Sequence, residues 1–103
     1  MDEIKKYTSR QEDLARIAKA LGHPARIAIM QFMAKRGSCC FSEIEAAMPL
    51  SKATVSQHLS ELRDAGLVIA EPELPRIRYS INHQAWARAG MIFGAFFSQR
   101  LAQ

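Results

Sequence analysis

A row of short hydrogen-bonding side chains begins at Ser51, in the segment SKATVSQHLSELRDAGLV. Val55, Leu59 and Leu62 recur there at helical spacing, which predicts a helix with one buried stripe. Ser51 is a suitable N-cap, and Gly66 stands where a helix can end in a left-handed turn. The opposite side carries small donors and acceptors that could hydrogen-bond to base edges in a DNA major groove. The candidate DNA-contacting residues of this helix are Ser51, Lys52, Thr54, Ser56, Gln57 and His58.

The order of charges along this helix favours contact through its N-terminal half. Gln57 could pair with adenine, and Lys52 could bind guanine or a phosphate. Glu61 and Asp64 follow in the C-terminal half, where DNA phosphates would repel their carboxylates. We therefore expect the helix to enter a groove with its first two turns.

Three helices are predicted ahead of this one. Apolar residues at helical spacing predict a first helix over about residues 4–21 and a second over about 24–35. Ser42 and Glu45 form a capping-box sequence, which predicts the start of a short third helix. The third and fourth helices, over about residues 42–65, then read as a helix-turn-helix.

Period-two alternation follows the fourth helix. It predicts strands at residues 67–70 and 76–81, joined by a stiff loop with two prolines. A hairpin over about residues 67–81, directly after a helix-turn-helix, is the wing of a winged helix. Arg76 and Arg78 alternate with apolar residues and share one face, which could meet phosphates or the minor groove.

A last helix is predicted over about residues 83–101, with Asn82 as its cap. Its apolar side chains cover more than one face, so a domain of this size could not bury them all. The surplus predicts a partner helix, most simply from a second copy of the chain. The predicted dimer-interface residues, on the first and last helices, are Leu14, Ile17, Trp86, Ile92, Phe93, Phe96 and Phe97.

Length and composition limit the size and class of the protein. The 103 residues, 49% of them hydrophobic, predict one domain with a modest core. The fold class expected is mainly α with a small β-hairpin (α+β), in the order α-α-α-α-β-β-α. The net charge of +4 favours a polyanionic partner. The sequence contains no signal peptide, membrane span or catalytic motif, which predicts a cytoplasmic protein that is not an enzyme.

The chain resembles the ArsR-type (arsenical-resistance repressor) family of winged-helix regulators. The resemblance rests on ALGHPARIAIM at residues 20–30, the S-x-H-L core at 56–59, L-x-x-x-G-L at 62–67, and RYSI at 78–81. It implies a homodimer held together by its first and last helices, which binds double-stranded DNA at an inverted-repeat operator. It also implies a repressor that leaves its promoter when an inducer binds.

Cys39 and Cys40 bear on the inducer. Arsenite- and cadmium-sensing members carry a C-x-C pair at the start of the third helix, whereas here Ser42 takes the second of those positions. As(III) or a soft metal ion needs about three or four thiolate or imidazole ligands. Two sulfurs on consecutive residues of an extended segment point apart. A closed site would therefore need sulfur from the second protomer, a small thiol, or a large accommodating ion such as arsenic. Three alternatives stay open: As(III) or soft-metal binding at Cys39 and Cys40, a thiol redox or sulfide response, and no sensing role.

A rival hypothesis from another class is a winged helix that serves only as a protein-interaction module. Such a module need not keep a polar, uncharged face on the fourth helix together with arginines on the wing. Specific DNA binding is therefore the favoured interpretation.

Overall fold

The computed structural model describes residues 6–103. Over these residues the order of elements agrees with the prediction, except that one short strand precedes the third helix. The elements are α1 (Ser9–Leu21), α2 (Pro24–Arg36), β1 (Cys39–Cys40), α3 (Phe41–Ala47), α4 (Lys52–Asp64), β2 (Val68–Glu73), β3 (Arg76–Ile81) and α5 (His83–Phe97).

Helix α1 is shorter at its N-terminal end than predicted. The Thr8 hydroxyl accepts from the Gln11 N–H at 3.0 Å, and the Gln11 side chain accepts from the Thr8 N–H at 2.9 Å. This reciprocal capping box begins the helix at Ser9, and residues 6–8 are not helical. The first two positions of the predicted helix, Ile4 and Lys5, lie outside the described residues.

Helix α3 begins one residue before the predicted cap, so the capping box assigned to Ser42 and Glu45 is wrong. Cys40 is the N-cap, and the Glu43 carboxylate accepts from the Cys40 N–H at 2.8 Å. The reason is that Cys40 also ends strand β1, so the chain passes directly from the sheet into the helix.

The three strands form one antiparallel sheet in the order β1-β3-β2. Strand β2 runs through Pro72 to Glu73, so the predicted five-residue loop is reduced to a turn at residues 74–75. An edge strand tolerates proline because the missing N–H can lie on its unpaired side. We call β2, β3 and their turn the wing.

The core lies where α2, α3 and α4 pack together under the sheet. Ile29, Ile44, Val55 and Leu62 are fully buried at its centre, and each such side chain stabilises the fold by about 1.5–3 kcal/mol. Helix α5 ends at Phe97 rather than near the predicted residue 101. Within residues 6–103, no helix is long and apolar enough to cross a bilayer.

Candidate nucleic-acid interface

The first turn of α4 is fixed by hydroxyl groups. Ser51 is the N-cap: its Oγ accepts from the Thr54 N–H at 3.2 Å and lies 2.9 Å from Thr54 Oγ1. This cap satisfies one of the N–H groups that a helix start leaves unpaired. The C-terminal end of α4 is also as predicted, because Gly66 has a φ of +84° and follows the last helical turn.

Helix α4 has two distinct faces. Val55, Leu59 and Leu62 are buried, as the stripe predicted. The exposed side carries polar side chains, most of them uncharged: Lys52, Thr54, Ser56 and Gln57. Surface helices of globular proteins usually expose mainly Lys and Glu, so this face is suited to hydrogen-bonding with bases rather than only to solvation.

Gln57 is held by a neighbour on its own helix. Its Nε2 donates to Glu61 Oε2 at 3.1 Å. The amide oxygen and the second N–H stay available, and pairing with an adenine edge needs one acceptor and one donor. The contact with Glu61 therefore leaves Gln57 able to pair with a base.

An open groove joins α4 to the wing. Lys52 and Ser56 line it from the helix, and Arg76 and Tyr79 line it from strand β3. In the part of the chain that the structure describes, neither Lys52 nor Arg76 has a hydrogen-bond or ion-pair partner. Both cations thus line a groove beside the exposed helix face. Both cations are among the DNA-contact candidates from the sequence, whereas Tyr79, which also lines the groove, belongs there only to the apolar pattern of the strand.

Arg78 is engaged within the protein. Its Nε donates to Glu73 Oε1 at 2.9 Å, and its Nη1 donates to Ser38 Oγ at 3.2 Å. The hydrogen bond and charge of Glu73 raise the pKa of the guanidinium above its already high ordinary value. Arg78 therefore ties the wing together and to the segment before β1, whereas Arg76 is free to meet a phosphate.

The structure does not place His58 on the exposed face. It is only 7% exposed and turns toward α2, where the Arg26 Nε donates to its Nδ1 at 3.0 Å. The ring of His23 lies 4.4 Å away, centroid to centroid. We therefore remove His58 from the candidate DNA contacts. Sequence reasoning missed Arg26, since no local pattern connects residues 32 positions apart.

The two cysteines of one chain do not point toward a shared site. Cys39 pairs with Tyr79 and Cys40 with Arg78 along the sheet, and consecutive strand residues point to opposite faces. Cys39 is fully buried, and burial, followed by the charge of Glu43, raises the pKa of its thiol. Within residues 6–103 no three His, Cys, Asp or Glu side chains gather to hold a metal ion. The donor set of one chain therefore does not fit As(III) or a soft metal ion.

Cys40 is the accessible thiol. It is half-buried and lines the groove between α4 and the wing, with its Sγ 3.2 Å from Ser42 Oγ. Both thiols are free rather than joined in a disulfide, as the adjacency of the cysteines predicted.

The predicted dimer residues divide into two groups. Ile17 and Ile92 are buried in the core of the single chain, so they cannot contact a partner and their assignment to the interface is corrected. The other five remain accessible in whole or in part: Leu14, Trp86, Phe93, Phe96 and Phe97. Trp86 is 42% exposed, Phe96 47% and Phe97 76%, which leaves a contiguous apolar surface on α5. We call these five residues, four from α5 and Leu14 from α1, the α5 face.

The fold and the polar face of α4 define a winged helix-turn-helix DNA-binding protein. Residues 23–70 match the profile described as bacterial regulatory protein, arsR family. The transcriptional regulator YgaV of Escherichia coli is 32% identical over 85 residues, which cover 82% of this chain and 86% of that one. The regulator CmtR of Mycobacterium tuberculosis is 38% identical over 80 residues, covering 78% and 67%. The chain belongs to the ArsR family of transcriptional regulators, and it is not an enzyme.

Solved structures agree with this assignment. A possible ArsR-family regulator from Mycobacterium bovis, described as a homodimeric winged helix-turn-helix DNA-binding domain, superposes with a TM-score of 0.72 at 25% identity. The match covers 99% of this chain and 94% of that one. The transcriptional repressor PagR of Bacillus anthracis gives a TM-score of 0.69 at 29% identity, covering 84% and 97%.

Proposed function

We propose that two copies of this chain form a repressor that inserts its two α4 helices into successive major grooves of an inverted-repeat operator. The observation that carries the proposal is the exposed, mostly uncharged face of α4 beside a groove with two cations, Lys52 and Arg76, that have no partner among residues 6–103. Half-sites about one helical turn apart would mirror the symmetry of the dimer. Because it acts on promoter DNA, we place the protein in the cytoplasm.

Base contacts come from the first two turns of α4. Gln57 is suited to adenine, and Lys52 to guanine or a phosphate, while Thr54 and Ser56 can donate or accept. Ser51 contributes mainly through the cap. Glu61 and Asp64 in the later turns would face phosphates unfavourably, so contact fades toward the C-terminal end.

The wing supplies phosphate contact through Arg76. Its guanidinium is exposed and has no partner in the described part of the chain, whereas that of Arg78 is neutralised by Glu73. Phosphate contacts orient a protein on the duplex without reading sequence. Arg76 therefore sets affinity, and Arg78 keeps the wing in position.

The α5 face holds the dimer together. Its exposed aromatic side chains form a patch that a single chain leaves in water, and such patches mark association surfaces. The homodimeric Mycobacterium bovis domain, which is similar over nearly the whole of this chain, supports the same assembly here.

Release by an inducer is proposed to act through Cys40 rather than through a metal bound by both cysteines. Cys40 lies in the groove that Lys52 and Arg76 line, so a substituent on its sulfur would occupy the proposed phosphate site. This favours the thiol-responsive alternative. An oxidant should release operator DNA from the wild type and from Cys39→Ser, but not from Cys40→Ser. Release of Cys40→Ser by arsenite would contradict the assignment.

Titration of the protein against its own promoter DNA and a scrambled duplex tests DNA recognition. Specific winged-helix binding predicts affinity at least about 10³-fold higher for the promoter at physiological salt, with two chains bound per site. Equal affinity for both duplexes at every salt concentration would favour the protein-interaction module instead.

A further inference from the structure

His58 is the only polar side chain buried within residues 6–103. It belongs to α4, the proposed recognition helix, but projects from the inner side toward α2. A buried polar group is costly unless it is hydrogen-bonded. His58 should therefore have a hydrogen-bond partner inside the protein.

That partner is Arg26, which links three helices. Its Nε donates to His58 Nδ1 at 3.0 Å, and its Nη1 donates to the carbonyl of Ala20, near the end of α1, at 3.2 Å. A guanidinium has only donors, so Nδ1 of His58 must be an unprotonated acceptor. This geometry requires the neutral imidazole with its proton on Nε2.

We propose that His58 is a positioning residue for the recognition helix, and that protonation of its Nδ1 releases α4 from Arg26 and lowers operator affinity at acid pH. This inference rests on the proposed DNA-binding function of α4. Protonation replaces the acceptor with a donor that carries a positive charge next to the guanidinium. The Arg26 link then becomes a repulsive contact.

The surroundings of His58 hold it in the neutral form. Burial lowers its pKa below the ordinary value of 6.5, and the nearby His23 and Arg26 lower it further. Glu61, one turn along α4, acts in the opposite direction. Other charged groups border the shallow depression that Arg26 and Glu61 line, namely Arg16, Lys19 and Asp64.

The direction of the pH effect follows from this lowered pKa. Above pH 6.5 the imidazole is neutral both when Arg26 holds α4 (the positioned form) and when α4 is released (the released form). The hydrogen bond from Arg26 to His58 is then intact. As the pH falls below 6.5, the released form takes up a proton first, and the positioned form is disfavoured. Linkage to one proton changes the equilibrium by at most about tenfold per pH unit per site.

The decisive variant is His58→Asn, because an amide oxygen can accept from Arg26 near the position of Nδ1 but does not titrate. Operator affinity is measured between about pH 5 and pH 8 at constant ionic strength. We expect wild-type affinity to fall by up to about tenfold per pH unit per protomer as the pH drops from 6.5 through the lowered pKa of His58, and His58→Asn to lose this dependence. His83→Asn is the matched control, since His83 is an exposed histidine at the start of α5. The operator affinity of this control should show the same pH dependence as that of the wild type. A His58→Asn profile identical to the wild type would overturn the proposal.

A second measurement needs neither DNA nor a variant. Imidazole ¹⁵N chemical shifts of the free protein should show His58 with Nδ1 unprotonated at neutral pH and a pKa below 6.5. A protonated Nδ1 at neutral pH, or a pKa above 6.5, would refute the proposal even if operator binding is normal. If no operator binding occurs at about pH 7.5, the DNA-binding function fails instead, and the two failures are distinguishable.

Discussion

Replacing Arg76 by glutamine should reduce both operator affinity and its dependence on salt. Arg76 is exposed on the wing and, within the described chain, has no partner that must be broken. Loss of one phosphate contact lowers the slope of log K against log salt by about 0.9 on B-DNA. A dimer has two wings, so the expected change is about 1.8, which corresponds to roughly 30-fold weaker binding at about 0.15 M salt.

The assay is fluorescence anisotropy with labelled operator between about 50 and 200 mM salt. Arg100→Gln is the matched control, because it removes the same charge beyond the end of α5 and should keep the wild-type slope. Arg78→Gln should change the slope less than Arg76→Gln, since Glu73 already pairs with its guanidinium. A wild-type slope in Arg76→Gln would refute the assignment of the wing as a phosphate contact.

Three further predictions concern the dimer, the thiols and the cap. Phe97→Asp should weaken dimerisation by at least about 2 kcal/mol, roughly 30-fold, seen by light scattering; an unchanged dimer would contradict the role of the α5 face. In the native protein Ellman's reagent should label Cys40 quickly and Cys39 only after unfolding, because Cys39 is fully buried; two fast thiols would be inconsistent with this. Ser51→Ala should cost about 0.5–2 kcal/mol of stability in urea unfolding, and an unchanged midpoint would show that the cap is dispensable.

Helix α4 was predictable because everything that defines it is local. The apolar stripe of Val55, Leu59 and Leu62 lies within eight residues, and Ser51 and Gly66 mark its two ends. Local hydrogen bonds and periodic burial leave their pattern directly in the sequence.

Strand β1 was not predictable for the opposite reason. It is two residues long and exists because Cys39 and Cys40 pair with Tyr79 and Arg78. A pairing across about 40 residues leaves no local pattern, and without it the start of α3 was predicted at Ser42 rather than at Phe41.

The sequence also could not predict which part of the structure covers each apolar helix face. Periodicity identifies an apolar face but not what covers it, so Ile17 and Ile92 were assigned to a partner although the chain buries them itself. His58 lies at the margin of the α4 stripe, and only its contact with Arg26 shows that it faces inward. In both cases the deciding contacts come from distant parts of the sequence.

The most direct test of base recognition by α4 is the base preference of Gln57→Ala, measured on operators substituted one base pair at a time. Pairing of Gln57 with adenine predicts a loss of about 1–3 kcal/mol of discrimination at one symmetry-related position in each half-site, an A·T pair in the wild-type operator. Discrimination at the other positions should be unchanged. A Gln57→Ala profile that matches the wild type at every position would contradict recognition through the N-terminal half of α4.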